Sequence, residues 1–461
     1  MIACLEQAGS VQLKRISPGR NEEIAFGRFL ANEAVTLPEL IHKNTRIKPA
    51  RVQGRDILLV LDASSVNLML NGQSRKEWKH LAGVINAQNT PGFLIMVCLV
   101  VDRHTQDCLG LGEVLFYSRP PAHRDAKKNQ RARSKRHRLA LENKETGSWL
   151  IAARNTMAQL ATAASVTLVL DRGGDAYDLF GAFTEHLGVD FIVRSKYRRK
   201  ATDLDSGQTG TLAQLLDARH WMDQRTAKIR SLDHFSKTSG KRIKRKGRKA
   251  RLNIRYTHVE MNPPCSPSSH STQSTKLWVV EVREDPSTVP PGESPIHWRL
   301  LTSRPIEHIE QAWAVVEDYR GRWHIEQLFR VLKKDGFDVE KSQLTHPDRI
   351  KKLLVMAIKA SAEVMRLVNA RDGEPPIAID DVFDADQQKI LHKLNEVYQG
   401  NTTKSSNPYC SKTLAYAVWI ISRMGGWSGY LSQRPPGPKT IKRGLDRFYT
   451  ACEYAKIFGG P

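Results

Sequence analysis

Short apolar runs, each bounded by polar residues or glycine, recur through the middle of the chain and predict buried β-strands. The runs are six to eleven residues long and rich in Val, Ile and Leu, and the first, second and fourth end in aspartate. The predicted strands are DILLVLD (56–62), GFLIMVCLVVD (92–102), GLGEVLFYSR (110–119), VTLVLD (166–171), DFIVRSK (190–196), LWVVEVRE (277–284) and IHWRLLTS (296–303). Helical segments separate several of these runs, and this alternation is typical of an α/β protein.

Apolar residues at a spacing of three or four predict helices at both ends of the chain and between the strands. The predicted helical regions are 1–50, 148–165, 176–187, about 306–334 and 346–461, the last including 349–368 and 414–426. The final segment ends in the glycine pair expected where a helix stops. Between residues 197 and 276 the pattern is weaker, and a loop rich in Pro, Ser and Thr occurs there.

One face of the predicted 306–334 helix combines a phenol, two cations and a carboxylate. Its residues are Tyr319, Arg322, Glu326 and Lys333. At roughly 100° per residue these side chains fall within about 60° of one another. Ile325, Leu328 and Leu332 form an apolar seam about 120° away, which would dock the helix. A solvated face with incidental salt bridges is the alternative interpretation.

Length and cysteine content limit the class of protein. A chain of 461 residues with 40% hydrophobic content is expected to form two to four folded domains. It has no apolar run of about 18 residues and no signal-peptide pattern, so we expect no membrane association. The six scattered cysteines have no metal-binding spacing, which predicts reduced thiols in the cytosol and argues against zinc.

The charge indicates the class of partner. Lys and Arg total 71 against 48 for Asp and Glu, a formal net charge of +23, which favours a polyanion such as nucleic acid. Two runs, KKNQRARSKRHR (127–138) and KRIKRKGRKAR (241–251), hold seven and eight of these cations. We expect both runs to form loops that lie along the phosphates of a nucleic acid. The alternative is that they are solvated, tail-like loops.

Three carboxylates suggest the chemistry. Asp62 and Asp171 end predicted strands, and Glu326 lies on the cationic helix face. Hard cations such as Mg²⁺ bind through a few carboxylates, and a pair of such ions can activate water or a DNA 3′ hydroxyl. An aspartate after a strand is also a common turn or N-cap residue, so each has a structural alternative.

These residues carry a resemblance to a known family. The 319–333 segment matches, with correct spacing, the YREK signature of the insertion-sequence-four (IS-four) family of bacterial DDE transposases, most of all members of the transposon-five type. LLVLDASS around Asp62 and DRGGD around Asp171 resemble the blocks of the first two catalytic acids. Further similar segments are 191–200, 298–307, 414–427 and 437–445, so that most of residues 55–450 is covered.

The resemblance implies an α/β fold with an RNase H-like mixed-sheet catalytic core, a β-rich insertion, and mainly helical N- and C-terminal regions. The implied divisions are 1–54 for a partial N-terminal helical DNA-binding region, 55–196 and 277–345 for the two parts of the core, 197–276 for the basic insertion, and 346–461 for a helical dimerisation region. Within the last region, residues 411–426 are the strongest dimerisation candidate.

The activity implied is metal-dependent cleavage and transfer of DNA strands, by which an insertion sequence is cut out and pasted elsewhere. Asp62, Asp171 and Glu326 would be the catalytic ligands of Mg²⁺ or Mn²⁺. The DNA-binding residues implied are Arg194, Trp298, Tyr319, Arg322, Trp323 and Lys333. The two tryptophans would stack on bases, with a core role as the alternative for each. The expected partner is double-stranded DNA, bound by a homodimer in the bacterial cytoplasm at the nucleoid.

Two departures from the family pattern favour a second interpretation. Glycines follow Arg172 where the family has Glu-Ala, which loosens the turn after Asp171. Only about sixty residues precede Asp62, and the family's Gly-Asp-Arg-Arg segment is absent from them. The alternative is therefore a catalytically impaired or N-terminally truncated DNA-binding regulator that inhibits transposition. A basic structural nucleoprotein is a third and weaker alternative, because close carboxylates repel one another without a counter-ion.

Overall fold

The computed structural model of the protein describes residues 1–2, 4–5, 10–68, 82–86, 88–120, 139–229, 232–236, 241–245, 247–264, 273–335, 337–374 and 376–458, of which residues 232–236, 241–245, 334 and 335 are described by their backbone alone. The basic run 127–138 and Cys265 lie outside these residues. The described cysteines, at positions 4, 98, 108, 410 and 452, are free thiols.

Thirteen strands lie within the described residues, and all seven predicted strands are among them. The strands are β1 (Asp56–Asn67), β2 (Gly92–Asp102), β3 (Cys108–Tyr117), β4 (Ser165–Leu170), β5 (Asp190–Arg194), β6 (Lys200–Asp203), β7 (Thr209–Thr211), β8 (Asp223–Ile229), β9 (Leu232–Ser236), β10 (Lys241–Arg245), β11 (Arg248–Met261), β12 (Thr275–Glu284) and β13 (His297–Thr302).

The α-helices occupy the two ends of the chain and the gaps between strands. In the described residues they are α1 (Leu13–Ile16), α2 (Arg20–Ala31), α3 (Leu37–Thr45), α4 (Gly147–Met157), α5 (Tyr177–Gly181), α6 (Leu212–Asp217), α7 (Ile309–Arg320), α8 (Trp323–Arg330), α9 (Pro347–Ala370), α10 (Ala385–Tyr398), α11 (Leu414–Met424) and α12 (Pro438–Ile457). None of these described helices combines the length and the apolar character needed to cross a membrane.

One compact unit comprises Met1–Ala132, Ala152–Ser165 and Trp323–Pro461. Its sheet is an antiparallel meander in the order β3-β2-β1. Every residue of β2 is buried, which explains why this strand has a continuous apolar sequence without alternation. Helix α9 packs against α3, β3, α8, α11 and α12 and forms the centre of the helical part of the core.

The other compact unit comprises Arg133–Ile151 and Val166–Arg322. Its strands follow the order β4-β5-β13-β12-β11-β6-β7, with β8 also paired to β11, while β9 and β10 form a separate hairpin. The β4–β5 pair is parallel and the other pairs are antiparallel. Helix α7 lies on β5, β11, β12 and β13, so that its buried face is fixed against the sheet.

The predicted 306–334 helix is interrupted. Helix α7 ends at Arg320, a turn occupies Gly321 and Arg322, and α8 begins at Trp323 and passes into a π-helical turn, Val331–Asp335. The N–H of Arg322 donates to the carbonyl of Tyr319 at 3.1 Å, an i to i−3 bond tighter than the α-helical pattern. The prediction of one continuous helix was therefore wrong, although the seam residues Ile325, Leu328 and Leu332 are buried as expected.

One further prediction was wrong, and another stays untested. The basic run 241–251 contributes to strands β10 and β11 rather than to a loop, and its Arg248 pairs with Glu284 at 2.8 Å and with Glu293 at 2.5 Å. In the candidate dimerisation segment 411–426, ten of the eleven residues of α11 are buried inside their own unit. That helix is therefore part of the hydrophobic core of its unit, and the dimerisation role of residues 411–426 stays a prediction.

Candidate active site

Asp171 follows the last residue of β4 at the carboxyl edge of the parallel β4–β5 pair. Leu170 lies opposite Val193, so the residues that follow them, Asp171 and Arg194, lie side by side at this edge. The Asp171 Oδ1 accepts a hydrogen bond of 2.6 Å from the N–H of Gly173 and caps the short turn that follows. The carboxylate is thus half-buried at the edge where functional groups of parallel strands gather.

Arg194, Tyr319 and Arg322 form a cluster beside Asp171. Burial raises the pKa of Tyr319, the positive charges of Arg322 and Arg194 oppose that shift, and Asp171 adds to it. Burial has the opposite effect on the cation: it lowers the pKa of Arg194, and the neighbouring Tyr319 hydroxyl opposes that shift. Arg194 also donates from Nη2 to the carbonyl of His297 at 3.1 Å. The cluster therefore combines a carboxylate, a phenol and two guanidinium groups within one compact unit.

Trp298 belongs to the same cluster. Its ring meets the Tyr319 ring edge to face with centroids 5.4 Å apart, and the Arg322 guanidinium lies 5.9 Å from the centroid of the Tyr319 ring. Trp298 is half-buried in β13, whereas Tyr319 is only 5% exposed. The tryptophan is therefore partly open to a stacking partner and partly supported by a buried phenol.

Sequence reasoning overlooked two members of this region. Arg172 lies near enough to Arg194 to affect its pKa, and it was treated only as part of the DRGGD block. Asp175 is buried and accepts hydrogen bonds from the N–H groups of Lys196 at 2.6 Å and Tyr197 at 3.1 Å, and it forms an ion pair of 2.6 Å with Arg199. Asp175 thus anchors the segment that follows β5, and the aspartate at the end of the DRGGD block was the only sequence signal for it.

The other two predicted acids lie in the first compact unit. Asp62 is in β1, where its Oδ1 accepts a hydrogen bond of 2.8 Å from the N–H of Ala63. Glu326 is in α8, a helix that contacts β1. Lys333 Nζ donates to the carbonyl oxygen of Ser65, three residues beyond Asp62. The signature lysine thereby ties the segment after α8 to the strand that carries the first acid.

The residues just before Glu326 have contrasting surroundings. Trp323 is 53% exposed, so it is not a core residue. His324 lies within hydrogen-bond distance of the Gln106 side chain, at 3.2 Å, and of Asn369, at 3.4 Å. Burial lowers the pKa of His324 to about 4, so the imidazole is neutral at physiological pH. These contacts place His324 behind the helix face, as a support for α8.

The donor chemistry of the three acids fits a hard divalent cation, because Mg²⁺ and Mn²⁺ prefer carboxylate oxygens. Asp62 and Glu326 belong to one compact unit and Asp171 to the other. In the part of the chain that the structure describes, no group of three or more His, Cys, Asp or Glu side chains is arranged to hold a metal ion. The assignment of the three acids as metal ligands therefore stays a prediction.

Comparison with known families finds a match that spans part of the candidate site. Residues 150–362 match the family model described as the transposase DDE domain. The matched stretch contains Asp171, Arg194, Trp298 and the 319–333 signature, and Asp62 lies before it. A DDE domain implies an RNase H-like fold and the transfer of polynucleotide strands, which agrees with the predicted α/β class. Residues 150–362 are therefore similar to a transposase DDE domain.

Proposed function

We propose that the protein is an active DNA transposase of the insertion-sequence-four family, most similar to the transposon-five type. The observation that supports this most strongly is the cluster of Arg194, Tyr319, Arg322 and Trp298 beside Asp171 within the matched DDE domain. Cationic donors and an aromatic ring next to a strand-end carboxylate are the groups needed to hold a DNA strand at a reactive acid.

Asp62, Asp171 and Glu326 would hold Mg²⁺ or Mn²⁺ in the reaction. When bound, such an ion supplies charge stabilisation for the phosphate oxygens at which the DNA strand is cut and joined. The carboxylates of this chain supply the oxygen ligands, and the short turn capped by Asp171 keeps that side chain at the carboxyl edge of β4. We therefore assign the catalytic role to these three residues together.

The surrounding cations would orient the DNA. Arg194 and Arg322 donate to phosphate oxygens and the Tyr319 hydroxyl assists them, so that the scissile phosphate is held in one orientation. Trp298 offers its partly exposed ring to a base, and stacking of this kind contributes about 1–3 kcal/mol per base. Trp323 offers a second exposed ring, and Lys333 holds the strand β1 in place. The substrate is double-stranded DNA, and we propose that a homodimer binds it.

Mg²⁺-dependent cleavage of a labelled duplex tests this proposal. The duplex should contain the DNA that flanks the coding sequence, and the proteins compared should be the wild type, Glu326→Ala and Asp171→Asn. Glu317→Gln is the matched control, because Glu317 lies on the exposed side of α7 and pairs with the nearby Arg320 at 2.7 Å. We expect cleavage by the wild type and the control, and a loss of at least about 1000-fold in the other two variants.

Other outcomes would separate the alternatives. Binding of the duplex by all four proteins without cleavage would contradict the enzyme and support the regulator, which retains DNA binding but lacks catalysis. Equal cleavage by wild type and Glu326→Ala would show that the assigned acids do not perform the reaction.

A further inference from the structure

A polar cavity in the first compact unit lies apart from the residues discussed above. Its volume is about 350 Å³, within the range of small-molecule sites, about 300–1000 Å³. Four cationic and three acidic side chains line it together with a few apolar residues. The charged lining residues are Lys48, Arg51, Arg55, Arg366, Asp107, Asp380 and Asp381. Three of the four cations are arginines, whose planar N–H donors suit the oxygens of an anion.

Two buried groups in the wall have unsatisfied hydrogen-bonding atoms of opposite kinds. Arg366 is 2% exposed and its Nε donor has no hydrogen-bond partner. Asp107 is 4% exposed and its Oδ1 acceptor has none either. The distance between Arg366 Nε and Asp107 Oδ2 is 3.6 Å, too long for a hydrogen bond. A buried polar atom without a partner costs about 1–3 kcal/mol, so a guest that both accepts from Arg366 and donates to Asp107 would be stabilised here.

The remaining cations are held in place without consuming all their donors. Arg51 donates to the carbonyls of Leu109, at 3.3 Å, and Asp381, at 3.0 Å, and Arg55 pairs with Asp102 at 2.7 Å. A guanidinium has five N–H donors, so each of these groups retains donors for a guest. Burial raises the pKa of Asp107, while the charge of Arg366 opposes that shift. The carboxyl group thus gains from sharing a proton with its guest.

We propose that this cavity binds a phosphomonoester group, with Arg366 and Arg51 donating to the phosphate oxygens and Asp107 accepting the proton of a P–OH group. A phosphomonoester with a second pKa of about 6 keeps that proton in about a tenth of its molecules at pH 7, and binding next to Asp107 selects this protonated form, whereas sulfate and the internal phosphodiesters of DNA have no proton to donate. The same group occurs in inorganic phosphate, in a nucleotide and at a 5′-phosphorylated DNA end. The site is independent of the proposed transposase reaction.

Titration calorimetry on the full-length protein at pH 7 tests this site with inorganic phosphate and, separately, sulfate. We expect phosphate to bind at least about tenfold more tightly than sulfate, because sulfate leaves Asp107 Oδ1 without a donor. Asp107→Asn should remove this preference, since an amide N–H donates to either anion. Arg55→Gln, at the exposed rim, should weaken both anions without disturbing the buried pair.

Controls identify the location and the natural guest. Arg194→Gln should leave the preference for phosphate over sulfate unchanged. If it abolished phosphate binding, the anion would lie in the arginine cluster beside Asp171 and the proposal would be wrong. Equal affinity for both anions in the wild type would contradict the proton shared with Asp107, and no binding of either would show that the cavity does not bind an anion. A deoxynucleoside 5′-monophosphate and duplexes with 5′-phosphate or 5′-hydroxyl ends then distinguish a free nucleotide from a DNA end, since only the favoured source should compete with inorganic phosphate.

Discussion

Two aspartates four residues apart, Asp171 and Asp175, have different roles in the DRGGD block. Asp171 is half-buried and caps a short turn, while the Asp175 side chain is fully buried between two backbone N–H groups and Arg199. The sequence could not separate them, because the partners of Asp175 lie 21 to 24 residues further along the chain. Asp175 is identified as a structural residue by its burial and its satisfied hydrogen bonds, and no local sequence pattern reveals either property.

This contrast predicts opposite effects of two substitutions. Asp175→Ala should lower the free energy of unfolding by about 3–5 kcal/mol, because it leaves Arg199 and two N–H groups without their buried partner. Asp171→Ala should cost only about 1 kcal/mol, the value of a lost cap, yet abolish strand cleavage. Urea unfolding followed by circular dichroism measures the first effect. Similar losses of stability in both variants would contradict the division of roles.

Part of the site was predictable at the residue level. The i, i+3 and i, i+7 spacings identified Tyr319, Arg322 and Glu326 as related, and the structure places the first two around one aromatic contact. The burial of Tyr319 was not predicted, because its ring is covered by Trp298 from a distant strand. Arg194 entered through family resemblance, since a lone arginine at the end of a strand has no distinguishing pattern.

At the scale of elements, strands were predicted better than helix ends. Long runs of aliphatic residues are compatible with little except a buried strand, so β2 was located to the residue. The sequence does not reveal the break between α7 and α8. Gly321 keeps right-handed helical angles, φ −56° and ψ −22°, so the apolar residues on either side of it retain a helical spacing. The basic segment 241–251 was misread as a loop because its cations mask the strand signal.

Strands β11, β12 and β13 are joined by one buried carboxylate. Glu281 in β12 pairs with Arg255 of β11 at 2.6 Å and with Arg299 and His297 of β13 at 2.9 and 2.8 Å. Burial alone would raise the pKa of Glu281, but the hydrogen bonds from His297 and Arg255 outweigh it and lower the pKa to about 2. This carboxylate therefore stabilises the three strands only while it is ionised.

The lowered pKa predicts a defined pH dependence. Because the folded-state pKa lies below the unfolded value of 4.5, the contribution of Glu281 is complete above about pH 4.5 and is lost as the pH falls towards 2. The loss should be about 3 kcal/mol. Urea midpoints measured from pH 7 to pH 2 should fall less steeply for Glu281→Gln than for the wild type. Parallel curves would show that Glu281 gains nothing from its partners.

At the scale of the whole molecule, the fold consumes part of the positive charge. Arg248 and Arg255 each pair with carboxylates and are largely buried, so they contribute stability and are not available to bind DNA. The net charge of +23 therefore overstates the number of cations available to phosphates. The sequence predicted the partner class from this total but could not divide the cations between the interior and the surface.

The salt dependence of DNA binding measures how many of the cations contact DNA phosphates. We expect the affinity for a non-specific duplex to fall steeply between 50 and 200 mM salt, with about 0.9 in the log–log slope for each phosphate contacted. Arg131→Gln combined with Arg133→Gln, in the basic run 127–138, should reduce the slope by up to about 1.8. Lys389→Gln combined with Lys393→Gln, on the exposed side of α10, makes the same change in net charge and should leave the slope unchanged. Equal slopes for the two double variants would mean that the 127–138 run is a solvated segment, because only cations that displace counter-ions from DNA alter the slope.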